Sequence, residues 1–395
     1  MLKNRTFQPD KDLGANLSGA LEELEAVARE TPRAPSSQET IEVARRLGQW
    51  AELAWSIDLD DLRADRNTPE ASRYGSTAAG LVAADNGNRA LSYLSAITGP
   101  NVYGQPLAAT TDPETLQGLH TVLKSGGLDR SAEGRPLRPG QWRTTPGGVL
   151  DARTDRVHPA PDPEALPGVM RQWSETFRPD AWREVHPAVY AAQAYASLIA
   201  IRPFEGGNGR VARMVVDKIM EDHGYPAIGL SAVHERYRAP IGARLFDAIA
   251  NHDLESWIRA FIALAAEEID TVNRQIPRLQ QDLTRLADHM GHVPESARWG
   301  PHEIAASMIA DPVDRPATFA QRHGLDRDQT TELLRPLARA GLVELGRING
   351  KQLVITYPAL ENLHELARPR TARRREVASV TLKAADARRG SPRSA

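Results

Sequence analysis

The chain contains no cysteine, which excludes disulfide staples, thiolate nucleophiles and zinc sites built on sulfur. Nor is there a run of roughly 18 apolar residues of the kind that spans a bilayer, and the opening MLKNRTFQPDKDL lacks the apolar stretch of a secretory signal. A cytoplasmic protein with no membrane partner is the expectation. An excess of charge of one sign is also missing: 49 Lys and Arg against 51 Asp and Glu leave a net charge of -2. The molecule as a whole is therefore no polycation, and nucleic-acid binding would have to come from a local patch. Strand-like alternation is nearly absent from 165 to 290, which makes the expected fold class mainly α.

What is present divides 395 residues into more than one core. Residues 1–68 read as an N-terminal helical region: Leu17, Leu21, Leu24 and Val27 recur at spacings of three and four and Thr31-Pro32 stops them, with a second helix from Ser37 to about Ala54. Residues 69–290 read as one helical domain. It begins with an Ala-rich stretch to Ile97 and continues through a Gly-, Pro- and Arg-dense region, 128–163, whose GGVLDARTDRVH predicts a short hairpin flap. Helices follow at Ala165 to Phe177, His186 to Ile201, from near Asn208, Ile241 to Asn251 and Leu254 to His289. A break at Gly291 to Gly300 precedes a smaller module, 300–358, of three short helices and a hairpin turned by Asn349-Gly350. Residues 368–395 form a basic tail with little apolar content, expected to be disordered.

The most informative segment is Ile201-Arg202-Pro203-Phe204-Glu205-Gly206-Gly207-Asn208-Gly209-Arg210-Val211-Ala212-Arg213. Its glycines allow close backbone approach, and the helix behind them presents unpaired amides and a positive dipole end, a place for an anion. Arg210 and Arg213, three apart on the first turn, can both reach a phosphate chain. By composition alone the same residues also fit a solvated glycine loop with two exposed arginines.

This string resembles the Fic signature, His-Pro-Phe-x-(Asp/Glu)-Gly-Asn-Gly-Arg-x-x-Arg, at all but two fixed positions. The preceding helix and the PGQWRTT of the flap are also similar to their counterparts in that family. The resemblance implies a Fic-type helical bundle with a small β-hairpin that docks a target protein. It implies a histidine that takes a proton from a target hydroxyl, which then attacks the α-phosphate of ATP. An acidic residue would hold magnesium, the Gly-Asn-Gly turn would form an anion hole, and two arginines would bind the outer phosphates. Carried over, Phe204, Gly207, Asn208, Gly209, Arg210 and Arg213 are the nucleotide-binding candidates. Arg202, at the histidine position, and Asn208 are the catalytic ones.

Two departures fall on the chemistry. Arginine stays protonated, so Arg202 cannot be a general base, although it can bind phosphate. Gly206 stands where the acid is expected, which leaves Glu205, displaced by one residue, as the candidate magnesium ligand. The nearest other histidine along the chain, His186, lies about four helical turns before the motif. The family's inhibitory helix resembles Glu70 to Gly80, where Ala79 falls at the position of the glutamate that would clamp Arg213.

Residues 300–358 resemble a winged helix. Arg327 on its third helix and Arg347 and Lys351 at the wing are DNA-binding candidates, against which stand Asp326, Asp328 and Glu332 nearby. Three functions stay open at this point. One is a nucleotide or phosphate-ester binder related to adenylyltransferases with lost or altered activity. The others are a transferase of non-AMP chemistry and a winged-helix DNA-binding regulator.

Overall fold

The computed structural model describes residues 17–29, 109–125, 138–151, 153–225, 238–310, 313–348 and 351–356, with 10, 13, 86, 89–90, 93–94 and 96–98 besides. The expectations for 37–54, for the Ala-rich stretch including the Glu70 to Gly80 segment, for Asn349-Gly350 and for the basic tail lie outside the described residues. Helices dominate. They are α1 (Ser18–Arg29), α2 (Pro113–Leu123), α3 (Leu166–Thr176), α4 (Pro187–Ile201), α5 (Asn208–Asp222), α6 (Arg238–Asn251), α7 (Leu254–His289), α8 (Pro301–Ala310), α9 (Pro316–His323) and α10 (Arg327–Arg339). Among the described residues five short strands accompany them: β1 (Gly148–Asp151), β2 (Arg156–Pro159), β3 (Val313–Asp314), β4 (Val343–Ile348) and β5 (Lys351–Thr356). Among the described residues no helix is long and apolar enough to cross a membrane.

Two compact units emerge, one built around the described residues of 17–28 and 89–269, the other around those of 270–356. In the first, α4 is the central helix. Its Ala-rich sequence is buried on nearly every face, as expected of a helix with no polar stripe. The few polar atoms around it are paired: Trp173 Nε1 donates to Ser197 Oγ at 2.7 Å, Trp257 Nε1 to the Ala192 carbonyl at 2.8 Å, and Tyr190 Oη to the Phe177 carbonyl at 2.7 Å. At its N-terminus His186 Nδ1 accepts from the Ala188 amide, which directs Nε2 toward Glu25 on α1 at 3.0 Å. His186 thus caps α4 and tethers α1. The side of α4 that meets α5 positions the motif turn, because the chain passes from one helix to the other in six residues.

In the second unit the last turns of α7 supply Ile276, Leu279, Leu283 and Leu286, spaced at three and four, to a core shared with Ile304, Phe319 and Leu333. The sequence break at Gly291 is real as a helix end. The compact units nevertheless divide at Ile269/Asp270, inside α7, because Met290, Val293 and Ala297 pack on that same core and the Gly291 amide donates to the Leu333 carbonyl at 3.1 Å. Asp326 and Gln329 form a reciprocal capping box at the start of α10. The sheet runs β3-β5-β4, antiparallel throughout, with Ile348 opposite Lys351 across a two-residue connection. The short strand β3 had no signal in the sequence reading.

His323, at the end of α9, is fully buried against Phe319 and the edge of Trp299, and neither ring nitrogen has a hydrogen-bond partner. Burial, aided by the neighbouring Arg322, pushes its pKa down to about 4. The folded unit therefore holds the neutral ring while the unfolded chain titrates near 6.5. The stability this contributes is complete above pH 6.5 and is lost as pH falls toward 4, about 3 kcal/mol across the window. Amide protection factors of α8 to α10, corrected for the intrinsic exchange rate at each pH, should fall between pH 6.5 and 4, and His323→Leu should flatten that dependence. A pH profile identical in the variant would remove His323 as its cause.

Candidate functional site

The motif turn begins where α4 stops. Arg202 is its C-cap in the left-handed conformation, φ 47° and ψ 64°, and its amide donates to the Leu198 carbonyl at 2.9 Å. A non-glycine residue pays steric strain of roughly 1 kcal/mol there, so the surroundings must hold it. Arg143 does so. Buried to 3 % exposure, its guanidinium donates from Nε to the Arg202 carbonyl at 2.7 Å, from Nη1 to Thr145 at 2.7 Å, and from Nη2 to the carbonyls of Pro161 and Ile201. Its backbone amide donates to the Pro203 carbonyl at 2.8 Å. The fork of one arginine thus joins the end of α4 to both legs of the hairpin. Burial and the Arg202 charge lower its pKa, while Glu205 and Asp162 work in the opposite direction.

Phe204 is buried in the turn with a stacked His120 ring on it, centroids 4.0 Å apart, and a tilted Trp142 at 5.1 Å. His120 comes from α2, a helix the sequence reading passed over, and its ring is 1 % exposed. The Gly140 amide donates to Nδ1 at 2.9 Å, so the proton resides on Nε2, which lies 3.0 Å from the Gly206 carbonyl. Both nitrogens are therefore occupied, and the ring has no lone pair to offer a substrate proton. The histidine beside the motif is His120 and not His186, and it holds the turn in shape.

Asn208 also acts inward. Its Oδ1 accepts from the Phe204 amide at 2.9 Å and its Nδ2 donates to the Phe204 carbonyl at 2.8 Å, closing the turn on itself. Gly207 is the N-cap of α5 with φ 75°, a conformation glycine adopts without strain, and it has no side chain to cap the helix. The first amides of α5 are thereby left without side-chain acceptors from their own cap, at the positive end of the helix dipole. Arg210 and Arg213 are both buried on this first turn, and Arg213 Nη1 lies 3.0 Å from where a Cβ on Gly209 would stand. The guanidinium of Arg213 therefore folds back over the turn.

A second contact from α2 is made by a lysine. Lys124, its C-cap, is 6 % exposed, and its Cε and Nζ lie 2.6 and 3.5 Å from where a Cβ on Gly207 would stand. Glu205 points the other way. One oxygen accepts from the Thr144 amide at 2.9 Å and the other from Thr145 Oγ1 at 2.7 Å. Burial raises its pKa, but these hydrogen bonds from Thr144 and Thr145 outweigh it, and the carboxyl titrates below its usual range.

The hairpin β1-β2 carries Leu150 and Val157 opposite each other, 57 % and 61 % exposed. Its turn is fixed by Asp151, whose carboxylate accepts from the amide, Nε and Nη2 of Arg153, and Arg153 continues to Asp247 on α6 at 3.0 Å. In the other unit, Arg327 is exposed at the first residue of α10, Arg347 pairs with Gln352 across the β4-β5 ladder and Lys351 with Ile348. The side chains of Arg347 and Lys351 lie outside the described residues.

Residues 110–220 match the Fic/DOC family. The chain is 34% identical over 94 residues to the protein adenylyltransferase Fic of Nematostella vectensis, covering 24% of this chain and 20% of that protein. It is 28% identical over 174 residues to the protein adenylyltransferase Fic of Drosophila grimshawi, covering 41% and 34%. These matches span a fifth to about a third of the relatives' length. A Fic family protein from Desulfovibrio desulfuricans G20 superposes with a TM-score of 0.49 at 16% identity, over 89% of this chain and 98% of its own. Helix α2, the hairpin, α3, α4 and nearly all of α5 fall within the matched span, and the chain thus carries a Fic/DOC-family domain at residues 110–220.

Proposed function

We propose that this domain binds ATP or a related phosphate ester at the start of α5 and that the AMP transfer named for its relatives is lost or replaced. The observation that carries the proposal is position 202. There an arginine, protonated at any working pH, occupies the place of the expected base, and His120, packed on the turn, has both ring nitrogens bonded. The parts suited to holding phosphate are present: amides at the start of α5 that Gly207 has no side chain to cap, and two buried arginines. The protein partner of such a site is a segment laid along the β1-β2 hairpin, where Leu150 and Val157 offer an apolar pair. The three helices and three-stranded antiparallel sheet of the second unit support a winged-helix reading for it.

The test is a thermal-shift screen of the full chain against nucleotides and other phosphate esters, since a ligand of the folded state raises stability by mass action. ATP or another phosphate ester should raise the unfolding temperature, and Arg210→Ala should abolish the shift. A screen without any stabilising phosphate ester would refute the binding site. A transferase of non-AMP chemistry is separated from a pure binder by the mass gained by a target protein in the same mixtures.

A further inference from the structure

We propose that the exposed face of α10 is a self-association surface, covered by the same face of a second copy of the chain lying antiparallel to it. Four charged residues make that face: Asp328, Glu332, Arg335 and Arg339, at spacings of four, three and four. With about 100° of turn per residue they fall within roughly 60° of arc. Thr330, Leu333, Leu334 and Leu337 are buried on the opposite side, so the four stand along the crest of the helix, and each is exposed. Among the described residues none of the four has an ion pair or a side-chain hydrogen bond.

The order of charge along the crest selects the occupant. Both acids come first and both arginines last, about a centre between Leu333 and Leu334. An identical helix, antiparallel about a two-fold axis at that centre, sets Asp328 against Arg339 of the second copy and Glu332 against its Arg335. The same two pairs recur on the other side of the axis. In a single chain the pattern works against the helix, because Asp328 and Glu332 are like charges four apart, as are Arg335 and Arg339. The helix dipole accounts for Asp328 in the first turn and Arg339 in the last, but it fades before reaching Glu332 and Arg335. A nucleic acid suits the crest less well, since its phosphates would meet the two acids as well as the arginines. The 13 residues of α10 span about 20 Å. A contact between two such helices is smaller than the roughly 800 Å² per partner of a standard complex, so the association is weak and salt-dependent.

The experiment is sedimentation equilibrium of the full chain at about 0.1 M and about 1 M NaCl, across which the Debye length falls from about 10 Å to about 3 Å. The expected result is a monomer–dimer equilibrium in low salt whose dissociation constant rises about tenfold or more in high salt. Glu332→Arg and Arg335→Glu each set like charges against one another at two places, and each variant should be monomeric alone. Mixed in equal amounts, the two variants bring opposite signs together at every position, and a heterodimer should form with an affinity within about threefold of the wild type. The mixture separates a lost contact from a lost fold, because two misfolded chains do not rescue each other. A wild-type chain that stays monomeric in low salt, whether or not it retards duplex DNA, overturns the proposal. Single variants that dimerise as the wild type does would put the interface elsewhere and overturn it too, as would a mixture that stays monomeric.

Discussion

Arg202→His combined with Gly206→Asp should yield a chain that labels itself or a target from α-labelled ATP, where the wild type should transfer no detectable AMP. Neither substitution should suffice alone. A histidine at 202 restores a group that can accept the hydroxyl proton, a contribution of roughly 10² to 10⁴ in rate. It still faces a triphosphate without a metal to draw charge from the leaving group. An aspartate at 206 supplies the missing carboxylate but no base. Both positions tolerate the change in backbone terms: histidine is among the residues enriched at positive φ, which 202 requires, and the left-handed glycine of the turn is Gly207, not Gly206. Wild-type labelling at the rate of the double variant would show that Arg202 is no lesion.

Arg143→Met should be the most destabilising single change in the Fic/DOC domain. The arginine is buried and donates to four carbonyls, two of them at the exposed end of α4's hydrogen-bond ladder, and a methionine of similar length leaves all four dry. The expected cost is about 3 kcal/mol, or a fall in unfolding temperature of roughly 6 to 12 °C for a unit of this size. Arg143→Lys should rescue little, because an ammonium cannot reproduce a planar fork that spans both legs of the hairpin. Limited proteolysis should cut first in 141–160 in the variant, since the same bonds hold the hairpin to the turn. A loss under about 0.5 kcal/mol by chemical denaturation would mean that the network is ornamental to stability.

Much of the scaffold was legible in the sequence. The sequence pattern located α1, α3, α4 and α7 nearly to the residue and α6 to within three at its start, and the Gly-rich turn followed by Arg210 and Arg213 pointed to a candidate anion site. Helix α2 was overlooked although it carried a readable start: Asp112 as N-cap, Pro113 at the first helical position and Glu114 in the first turn. That omission concealed the two residues, His120 and Lys124, that the structure places against the motif. Glu205 is different in kind. Its identity suggested a metal ligand, and only the arrival of Thr144 and Thr145, 61 and 60 positions away, assigns its oxygens to the hairpin.

The sequence by itself determined which of the described segments other than α2 would be helical, that the turn from 203 to 209 could bring backbone amides to an anion, and that position 202 could supply no base. These follow from spacing, from glycine's lack of a side chain and from the pKa of arginine, all properties of residues close together in the chain. Tertiary structure decided the rest: the His120 ring on Phe204, Lys124 at Gly207, and Arg143 under the Arg202 carbonyl. Those contacts join residues 59 to 84 positions apart and depend on how α2 and the hairpin pack against the α4-α5 turn. A contact between distant residues leaves no period in the sequence. It exists only when burial of apolar faces fixes the helices, and the direction of each polar side chain is then set by which carbonyl or amide is left without water.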